Sequence, residues 1–405
     1  MKIISNEYNA NLPMNKWPTK GGPAKFANLF SNLLNKKGHQ WVGVVDVYGG
    51  EVVKSELVTE KKNKWWRLIR IPDGYISEKF SKIKKYKNPT KSGASLINEL
   101  VDIILVEKPD LVFINGNSCF AWTLLRAAKQ LKIPTIVLHA GIWGLEIDIY
   151  DDYFSRAGIK IMKEMEKDFA TLASFNIFLN ETSKNYFTKN IHKISNNKIK
   201  IVPLPCDTKN INYHKKKKVS TKINVGIVAR WDRIKNHQAF LLTALELKKI
   251  NPAYNFFAVT NIPATSCNTE LKNEYRKNIN VISPMDQNKL KLFYKKMTLL
   301  LLPSIFDVSP HVVLEAAFTG TPTFISKNVG YANSFKDNGL VNFIVDFSKP
   351  KKAAKQIDKF KNKVYPTNFV KKLKKMHDQE GVLKIFETIF NEIAYENSPT
   401  GIKSK

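Results

Sequence analysis

The chain has 405 residues, 43% of them hydrophobic and 25% charged, which is typical of globular proteins with sizeable buried cores. At roughly 100–200 residues per domain, this length predicts two domains. No apolar run approaches the roughly 18 residues of a membrane-spanning helix, and the first residues lack an apolar segment of signal-peptide length. We therefore expect a cytoplasmic protein that contacts a membrane, if at all, only peripherally on its inner face.

The formal net charge is +30, and most of the basic residues are lysines. Nucleic-acid binding usually recruits arginine for bidentate contacts to phosphates and bases, so a nucleic-acid partner is not expected. Two interpretations of the charge stay open. One is compositional bias of an AT-rich coding sequence, and the other is attraction to an anionic membrane surface or an anionic acceptor. The three cysteines, Cys119, Cys206 and Cys267, lack paired spacing, so neither a disulfide framework nor a metal cluster is expected.

Short apolar runs alternate with helix-length amphipathic stretches along the whole chain. Runs of this kind are typical of strands buried on both faces of a parallel sheet. The alternation predicts an α/β fold with two doubly wound, Rossmann-like domains. The runs are KIIS (2–5), WVGVVDV (41–47), DLVFIN (110–115), TIVLH (135–139), NVGIV (224–228), NFFAV (255–259), TLLLLP (298–303), PTFIS (322–326) and NFIVD (342–346).

A polar stretch with four consecutive lysines, residues 215–218, interrupts this alternation and predicts a solvated linker. The predicted organisation is an N-terminal domain, a linker, a C-terminal domain, and C-terminal helices with a tail. Two such domains that face each other would bind a ligand in the cleft at the carboxyl ends of their strands. The boundaries are 1–205, 206–222, 223–365 and 366–405.

In the first domain, Gly21 and Gly22 follow the first strand where a helix begins near Pro23. Paired glycines allow a ligand to approach the backbone, and a helix N-terminus favours an anion, although a simple tight turn explains them equally well. His139 ends the TIVLH strand, which predicts either a position at the cleft mouth or a histidine satisfied in the core. In NGNS (115–118), we expect helix capping by Asn117 or Ser118 rather than acceptor contact.

Residues 61–91 mix tryptophan, phenylalanine and many lysines. Such a segment suits an interfacial membrane contact. The alternative is a strand, WWRLIRI, followed by a solvated helix. The membrane interpretation leads to a hypothesis that the acceptor is lipid-linked at the cytoplasmic leaflet.

In the second domain, Arg230 and Lys235 follow a buried strand and precede a helix that begins near Asn236. Two cations beside a helix N-terminus form an anion site that a diphosphate would fit, although they could also be surface charges on an exposed loop.

The segment from Pro303 to Glu315 follows the TLLLLP strand. Ser309 is the predicted N-cap of a helix with Pro310 in its first turn, and Gly320 is predicted to end it. The carboxylates of Asp307 and Glu315 could accept hydrogen bonds from sugar and ribose hydroxyls. The alternative is an acidic residue that stabilises the helix dipole, together with a surface glutamate.

The segment PSIFDVSPHVVLEAAFTGTP resembles the hallmark of family 4 of the retaining GT-B glycosyltransferases: Pro-Ser, an acidic residue, seven residues, Glu-Ala, and a later Gly-Thr-Pro. VARWDRIKN resembles the arginine and lysine pair of that family. KIKIVPLPCDTKN resembles the strand and linker that enter its second domain. The similarity covers most of residues 198–346 in order.

This resemblance implies a GT-B fold, a nucleotide-diphosphate-sugar donor, retention of configuration and no essential metal. Arg230 and Lys235 would hold the diphosphate, with Gly21 and Gly22 facing it. Glu315 would hold the ribose. Asp307 would contact sugar hydroxyls with the amides of Val308 and Ser309, and His139 would lie near the donor sugar or the acceptor. Asp307-Val308-Ser309-Pro310 replaces the usual glutamate and Gly-Phe-Gly, which leaves the donor sugar open.

The expected activity is transfer to a glycan or lipid-linked acceptor in cell-envelope polysaccharide, lipopolysaccharide or glycoconjugate synthesis. One alternative is a nucleotide-sugar epimerase of the same architecture, but its acidic and histidine residues are not evident. Another is a catalytically altered protein that serves as a basic membrane or nucleic-acid binding module. The set of Arg230, Lys235 and Glu315 argues against that second alternative.

Overall fold

The computed structural model describes residues 1–7, 22–48, 54–60, 63–70, 94–150, 156–206, 222–263 and 268–396. The chain divides into two compact units: Met1–Pro205 with Gln379–Lys405, and Cys206–Asp378. Most of the predicted linker, 206–222, lies outside the described residues.

All but the last of the predicted apolar runs form strands, and each unit contains one sheet among its described residues. Eight strands belong to the first unit and five to the second. They are β1 (Lys2–Glu7), β2 (Gln40–Tyr48), β3 (Lys54–Glu60), β4 (Asn63–Arg70), β5 (Leu111–Asn115), β6 (Thr135–His139), β7 (Phe175–Phe178), β8 (Ile199–Ile201), β9 (Ile223–Val228), β10 (Tyr254–Val259), β11 (Asn280–Ile282), β12 (Leu299–Leu302) and β13 (Thr323–Ile325).

Helices connect most of these strands and cover the sheets. Among the described residues, no helix combines the length and the apolar character needed to cross a membrane. The helices are α1 (Gly22–Lys36), α2 (Ala94–Glu107), α3 (Cys119–Gln130), α4 (Trp143–Glu146), α5 (Arg156–Leu172), α6 (Glu181–Asn190), α7 (His237–Ile250), α8 (Thr269–Asn278), α9 (Gln287–Lys296), α10 (His311–Phe318), α11 (Ala332–Asp337), α12 (Pro350–Phe360), α13 (Thr367–Met376) and α14 (Gln379–Glu396).

The strand order within each sheet determines where a site can form. The first sheet has the order β3-β4-β2-β1-β5-β6-β7-β8, with β3 and β4 antiparallel and the other pairs parallel. The second has the parallel order β11-β10-β9-β12-β13. The direction of winding reverses between β1 and β5 and between β9 and β12. Loops diverge at such points and leave a crevice at the carboxyl ends of the strands.

The predicted strand NFIVD (342–346) is wrong. A 3-10 helix, Val341–Phe343, occupies its first part, and only an isolated bridge from Ile344 to Ile325 continues the sheet. The WWRLIRI interpretation as a strand is confirmed by β4, whereas residues 71–93, which include the rest of the basic aromatic segment, lie outside the described residues.

The C-terminal segment predicted from residue 366 is divided between the two units. Residues 366–378 stay with the second unit, and α14 belongs to the first. Aromatic packing explains this return, because the rings of Phe386 and Phe30 lie 4.4 Å apart. An ion pair of 2.6 Å between Lys200 and Glu392 adds to the contact.

We expect Leu299→Ala to lower the free energy of unfolding of the second unit by about 2–5 kcal/mol, because the residue is fully buried and its loss leaves a cavity. Urea denaturation of both proteins measures the difference. Leu292→Ala is the matched control, since that leucine is 59% exposed and its loss should change stability by less than about 0.5 kcal/mol. Equal effects of the two substitutions would contradict the described core.

Candidate functional site

The loop between β9 and α7 carries Arg230 and Lys235, as predicted. Asp232 accepts a hydrogen bond from the Ile234 amide at 3.1 Å and starts a short 3-10 helix that ends at Lys235. Asn236 then takes a left-handed conformation, with φ of 54°, and caps α7. An asparagine tolerates this conformation better than most residues, so the chain turns sharply and the two cations stay beside the N-terminus of α7.

An ion pair joins this loop to the loop after β12. Lys235 Nζ lies 2.5 Å from Asp307 Oδ2, and the two side chains are only 19% and 14% exposed. The Arg230 side chain is 74% exposed and lies 3.4 Å from Asp232. Arg230 is therefore open to an anionic ligand, whereas Lys235 has a carboxylate partner that a ligand would have to replace.

The loop that follows β12 departs from the prediction at one position. Pro310, rather than Ser309, is the N-cap of α10, and it makes no side-chain capping bond. The Ser309 hydroxyl instead lies 3.3 Å from the Tyr331 hydroxyl. Gly320 follows the end of α10 with φ of +83°, as the sequence predicts for a helix end. The Asp307 carbonyl accepts from the Gly330 amide at 2.8 Å.

Glu315 is buried in α10, and the interpretation as a surface glutamate is wrong. It is 6% exposed. Its Oε2 accepts from the Tyr294 hydroxyl at 2.7 Å, and its Oε1 accepts from the Gln287 amide at 2.9 Å. Burial raises the pKa of the Tyr294 hydroxyl, and the neighbouring Glu315 carboxylate adds to the shift, so this tyrosine remains a hydrogen-bond donor. Helix α9 therefore holds the Glu315 carboxylate in one position.

Val308 is also buried, at 4% exposure, so its side chain belongs to the core around the loop. Any contribution of Val308 to a ligand, as the resemblance implies, would come from its backbone. The roles of Val308, Ser309 and Asp307 toward a sugar stay predictions.

His139 lies at the end of β6, but its side chain is fully buried rather than exposed at a cleft mouth. Its ring stacks on Phe178 at 4.5 Å and contacts Phe187 at 4.7 Å, and its Nε2 lies 2.8 Å from Asn176 Oδ1. Burial lowers the pKa of His139 to about 4. This environment places His139 in the core, but it is not the fully satisfied histidine of that alternative, because Nδ1 has no hydrogen-bond partner among the described residues. The burial opposes direct proton transfer by His139.

Two other predicted residues of the first unit, Gly22 and Ser118, lie at the start of helices. Gly22 is the first residue of α1, and Gly21 lies outside the described residues. Ser118 accepts from the Ala121 amide at 2.9 Å and caps α3, which confirms the capping interpretation of NGNS.

The sequence analysis missed Glu166, a buried carboxyl group of α5 beside the loop after β6. It accepts from the amides of Trp143 at 2.6 Å and Gly144 at 2.8 Å, and from the Asn117 side chain at 3.2 Å. Burial raises the pKa of Glu166 to about 7. No local signal marks this residue, because it is one of several charged residues of an amphipathic helix.

Within the described ranges, no group of three or more histidine, cysteine, aspartate or glutamate side chains is arranged to hold a metal ion. Cys119 and Cys206 are buried and form no disulfide, and Cys267 lies outside those ranges.

Comparison with known proteins agrees with this geometry. Residues 209–387 match the model of the family "Glycosyl transferases group 1", so the predicted resemblance and the enzyme class, a glycosyltransferase, are confirmed. The match includes the Arg230 to Glu315 region. No curated protein sequence matches the chain.

Solved structures resemble the chain over nearly its whole length. Sucrose-phosphate synthase from Thermosynechococcus elongatus has a TM-score of 0.72 at 14% identity, covering 97% of this chain and 99% of that one. An α,α-trehalose 6-phosphate synthase from Burkholderia multivorans has a TM-score of 0.73 at 13% identity, with coverages of 98% and 99%. A structure described as trehalose-6-phosphate from E. coli bound with UDP-2-fluoro glucose has a TM-score of 0.69 at 12% identity, with coverages of 97% and 99%. At these identities the likeness concerns the fold, and the predicted GT-B class is confirmed.

The buried ring of His139 predicts a specific acid sensitivity. Its folded-state pKa of about 4 lies below the usual 6.5, so the unfolded chain binds the proton first and stability falls as the pH falls through this interval. Relative to His139→Leu, the wild-type protein should lose about 2 kcal/mol between pH 7 and pH 5. Urea denaturation at both pH values measures the difference. Parallel pH profiles of the two proteins would show that His139 is not buried as a neutral ring.

Proposed function

We propose that this glycosyltransferase uses a nucleotide-diphosphate-sugar donor, retains configuration at the transferred sugar and needs no essential metal. The ion pair between Lys235 and Asp307 carries the proposal, because it brings the loops of β9 and β12 together where the strand order reverses. Arg230 lies on the same β9 loop, with its side chain exposed.

In this proposal, Arg230 and Lys235 hold the diphosphate, and the N-terminus of α7 adds its dipole. Phosphate oxygens would replace Asp307 as the partner of Lys235. The freed Asp307 carboxylate would then accept a hydrogen bond from a sugar hydroxyl, with the amides of Val308 and Ser309 beside it. Lys235 and Asp307 would each keep a polar partner both without and with the donor, so neither partly buried charge would be left unpaired.

Glu315 would hold the ribose hydroxyls. Tyr294 and Gln287 fix its position, and each carboxylate oxygen can accept more than one hydrogen bond. A carboxylate already oriented by two donors loses less conformational entropy when a ribose binds. Gly21 and Gly22 are also proposed to contact the diphosphate.

We propose front-face attack, in which the donor phosphate accepts the proton of the acceptor hydroxyl. This route needs no protein base, which suits the lowered pKa of His139 and its enclosure by two phenylalanine rings. His139 would instead orient the end of β6 near the donor sugar or the acceptor.

For the acceptor, we propose a glycan or a lipid-linked molecule of cell-envelope polysaccharide, lipopolysaccharide or glycoconjugate synthesis. The net charge of +30 supports an anionic acceptor or membrane surface. Two of the similar structures are named as synthases of phosphorylated sugars, so a free sugar phosphate is the competing acceptor in an activity test.

The donor proposal predicts that a nucleoside diphosphate binds and raises the melting temperature, since ligand in excess of its dissociation constant stabilises the folded state. UDP, GDP, ADP and CDP are the probes. Lys235→Ala should lower the affinity for the nucleoside diphosphate that binds most tightly by about 10–100-fold, because it removes a charge-assisted hydrogen bond. Isothermal titration measures the affinities, and Glu315→Gln should weaken binding in the same direction through the ribose.

Lys249→Ala is the matched lysine control for that experiment, because Lys249 is 71% exposed and pairs with Glu246 away from this loop. Unchanged affinity in the Lys235 and Glu315 variants would refute the site. No binding of any nucleotide would favour the non-catalytic basic module. Epimerised donor formed without an acceptor would favour the epimerase, and the anomeric coupling constant of a transfer product reports retention.

The membrane proposal predicts sedimentation with vesicles that contain phosphatidylglycerol at low salt, where the Debye length is about 30 Å. Binding should disappear at about 1 M salt, where that length is about 3 Å. Vesicles of phosphatidylcholine alone are the control. If the protein stays in the supernatant with anionic vesicles at low salt, the charge is compositional and the membrane proposal fails.

A further inference from the structure

His237 connects the Arg230 loop to the interior of the second unit. It is the first residue of α7 and is 4% exposed. Its Nε2 lies 2.9 Å from the Arg230 carbonyl oxygen, and its Nδ1 lies 2.9 Å from the Tyr275 hydroxyl of α8. The imidazole therefore lies between the loop backbone and a helix on the other side of the ring.

The partners of His237 determine its tautomer. A backbone carbonyl can only accept, so Nε2 carries the proton and donates it to Arg230. Nδ1 is then an acceptor and receives the Tyr275 hydroxyl proton. Burial lowers the pKa of His237 to about 4, despite the raising effects of the Arg230 carbonyl and of Asp232, so the ring is neutral at physiological pH.

Trp231 completes a cluster of three aromatic rings under the loop. Its indole stacks on the His237 ring at 4.6 Å and 24°, and it meets the Tyr275 ring edge-on at 4.9 Å and 89°. Each such ring pair stabilises the folded state by about 0.5–1.5 kcal/mol more than the burial of its surface alone. The imidazole of His237 therefore contacts two consecutive residues of the loop. It hydrogen-bonds to the Arg230 carbonyl and stacks on the Trp231 side chain.

The Arg230 side chain has little other support. It is 74% exposed, and its ion pair with Asp232, at 3.4 Å, is loose. The ladder of β9 ends with the Ala229 amide donating to the Val259 carbonyl at 3.2 Å. The direction in which the guanidinium leaves the loop is therefore determined by the backbone of Arg230, whose carbonyl His237 holds.

We propose that His237 is a positioning residue that, through the Tyr275–His237–Arg230 hydrogen-bond chain, orients Arg230 toward the diphosphate of the donor. This inference rests on the proposed function, because it requires a diphosphate at Arg230. It assigns no proton transfer to His237. Because His237 holds the Arg230 loop before the anion binds, the loop loses less conformational entropy on binding.

The test compares two polar replacements of the same ring. Glutamine extends its amide nitrogen to about the position of Nε2, and asparagine reaches only about the position of Nδ1. His237→Gln should keep the affinity for the tightest nucleoside diphosphate within about 3-fold, whereas His237→Asn should weaken it about 10-fold, the equivalent of one net hydrogen bond. Isothermal titration with that diphosphate measures both.

The matching nucleoside without phosphates separates positioning from general damage. Both variants should bind it like the wild-type protein, because the proposal places Arg230 against the diphosphate alone. Tyr254→Phe is the matched control: it also removes a buried tyrosine hydroxyl, whose bond of 2.9 Å goes to Asp358, and it should leave diphosphate affinity unchanged. Tyr275→Phe, which like His237→Gln loses only the bond at the Nδ1 position, should also keep the diphosphate affinity within about 3-fold. His237→Leu, which removes both bonds of the ring, replaces His237→Asn if that variant does not fold.

A double-mutant cycle completes the test. If His237 acts through Arg230, then Arg230→Ala combined with His237→Asn should bind the diphosphate no more weakly than Arg230→Ala alone. Additive losses, or an equal loss of nucleoside affinity, would overturn the inference. Failure of the wild-type protein to bind any nucleoside diphosphate would instead refute the proposed function, so the two failures are distinguishable.

Discussion

The arrangement of the loops after β9 and β12 in the second unit depends on the ion pair between Lys235 and Asp307. Both side chains are mostly buried, so removing either partner would leave a poorly solvated charge. The pair holds the β9 loop against the β12 loop without a ligand. In the proposed donor complex the pair would be exchanged, because a phosphate would replace the carboxylate at Lys235 while a sugar hydroxyl would bind Asp307. Under that proposal, one contact would serve both as structural support and as a preformed pair of binding groups.

The position of that pair follows from the sheet. Strands buried on both faces leave side chains free for a ligand only beyond their carboxyl ends, and the order reversal between β9 and β12 separates the loops there. The two strands and the adjacent helix boundaries were predictable, because NVGIV and TLLLLP are continuous apolar runs and Asn236 and Gly320 mark the boundaries. The strand order was not predicted. Local pattern was sufficient here because strand, turn and cap each depend on neighbours in sequence.

Contacts between distant residues were not predictable in the same way. The partners of Glu315 come from a different helix, and the return of α14 depends on rings at positions 30 and 386. His139 shows the same limit, since the end of a strand suggests a cleft, whereas Phe178 and Phe187 enclose the ring. Periodicity assigns a residue to an element and a face, but packing between elements determines whether a polar side chain at the strand end meets solvent.

The buried histidines show how such packing determines the charge of a polar side chain. Burial lowers the pKa of both His139 and His237 to about 4, so neither ring adds a positive charge at physiological pH. The neutral ring of His237 has a fixed tautomer and connects two partners, with Nε2 as a donor and Nδ1 as an acceptor. Under the proposed function, Arg230 would supply the cation and His237 would fix the backbone from which that cation extends. Because His237 is neutral at physiological pH, its two hydrogen bonds persist there.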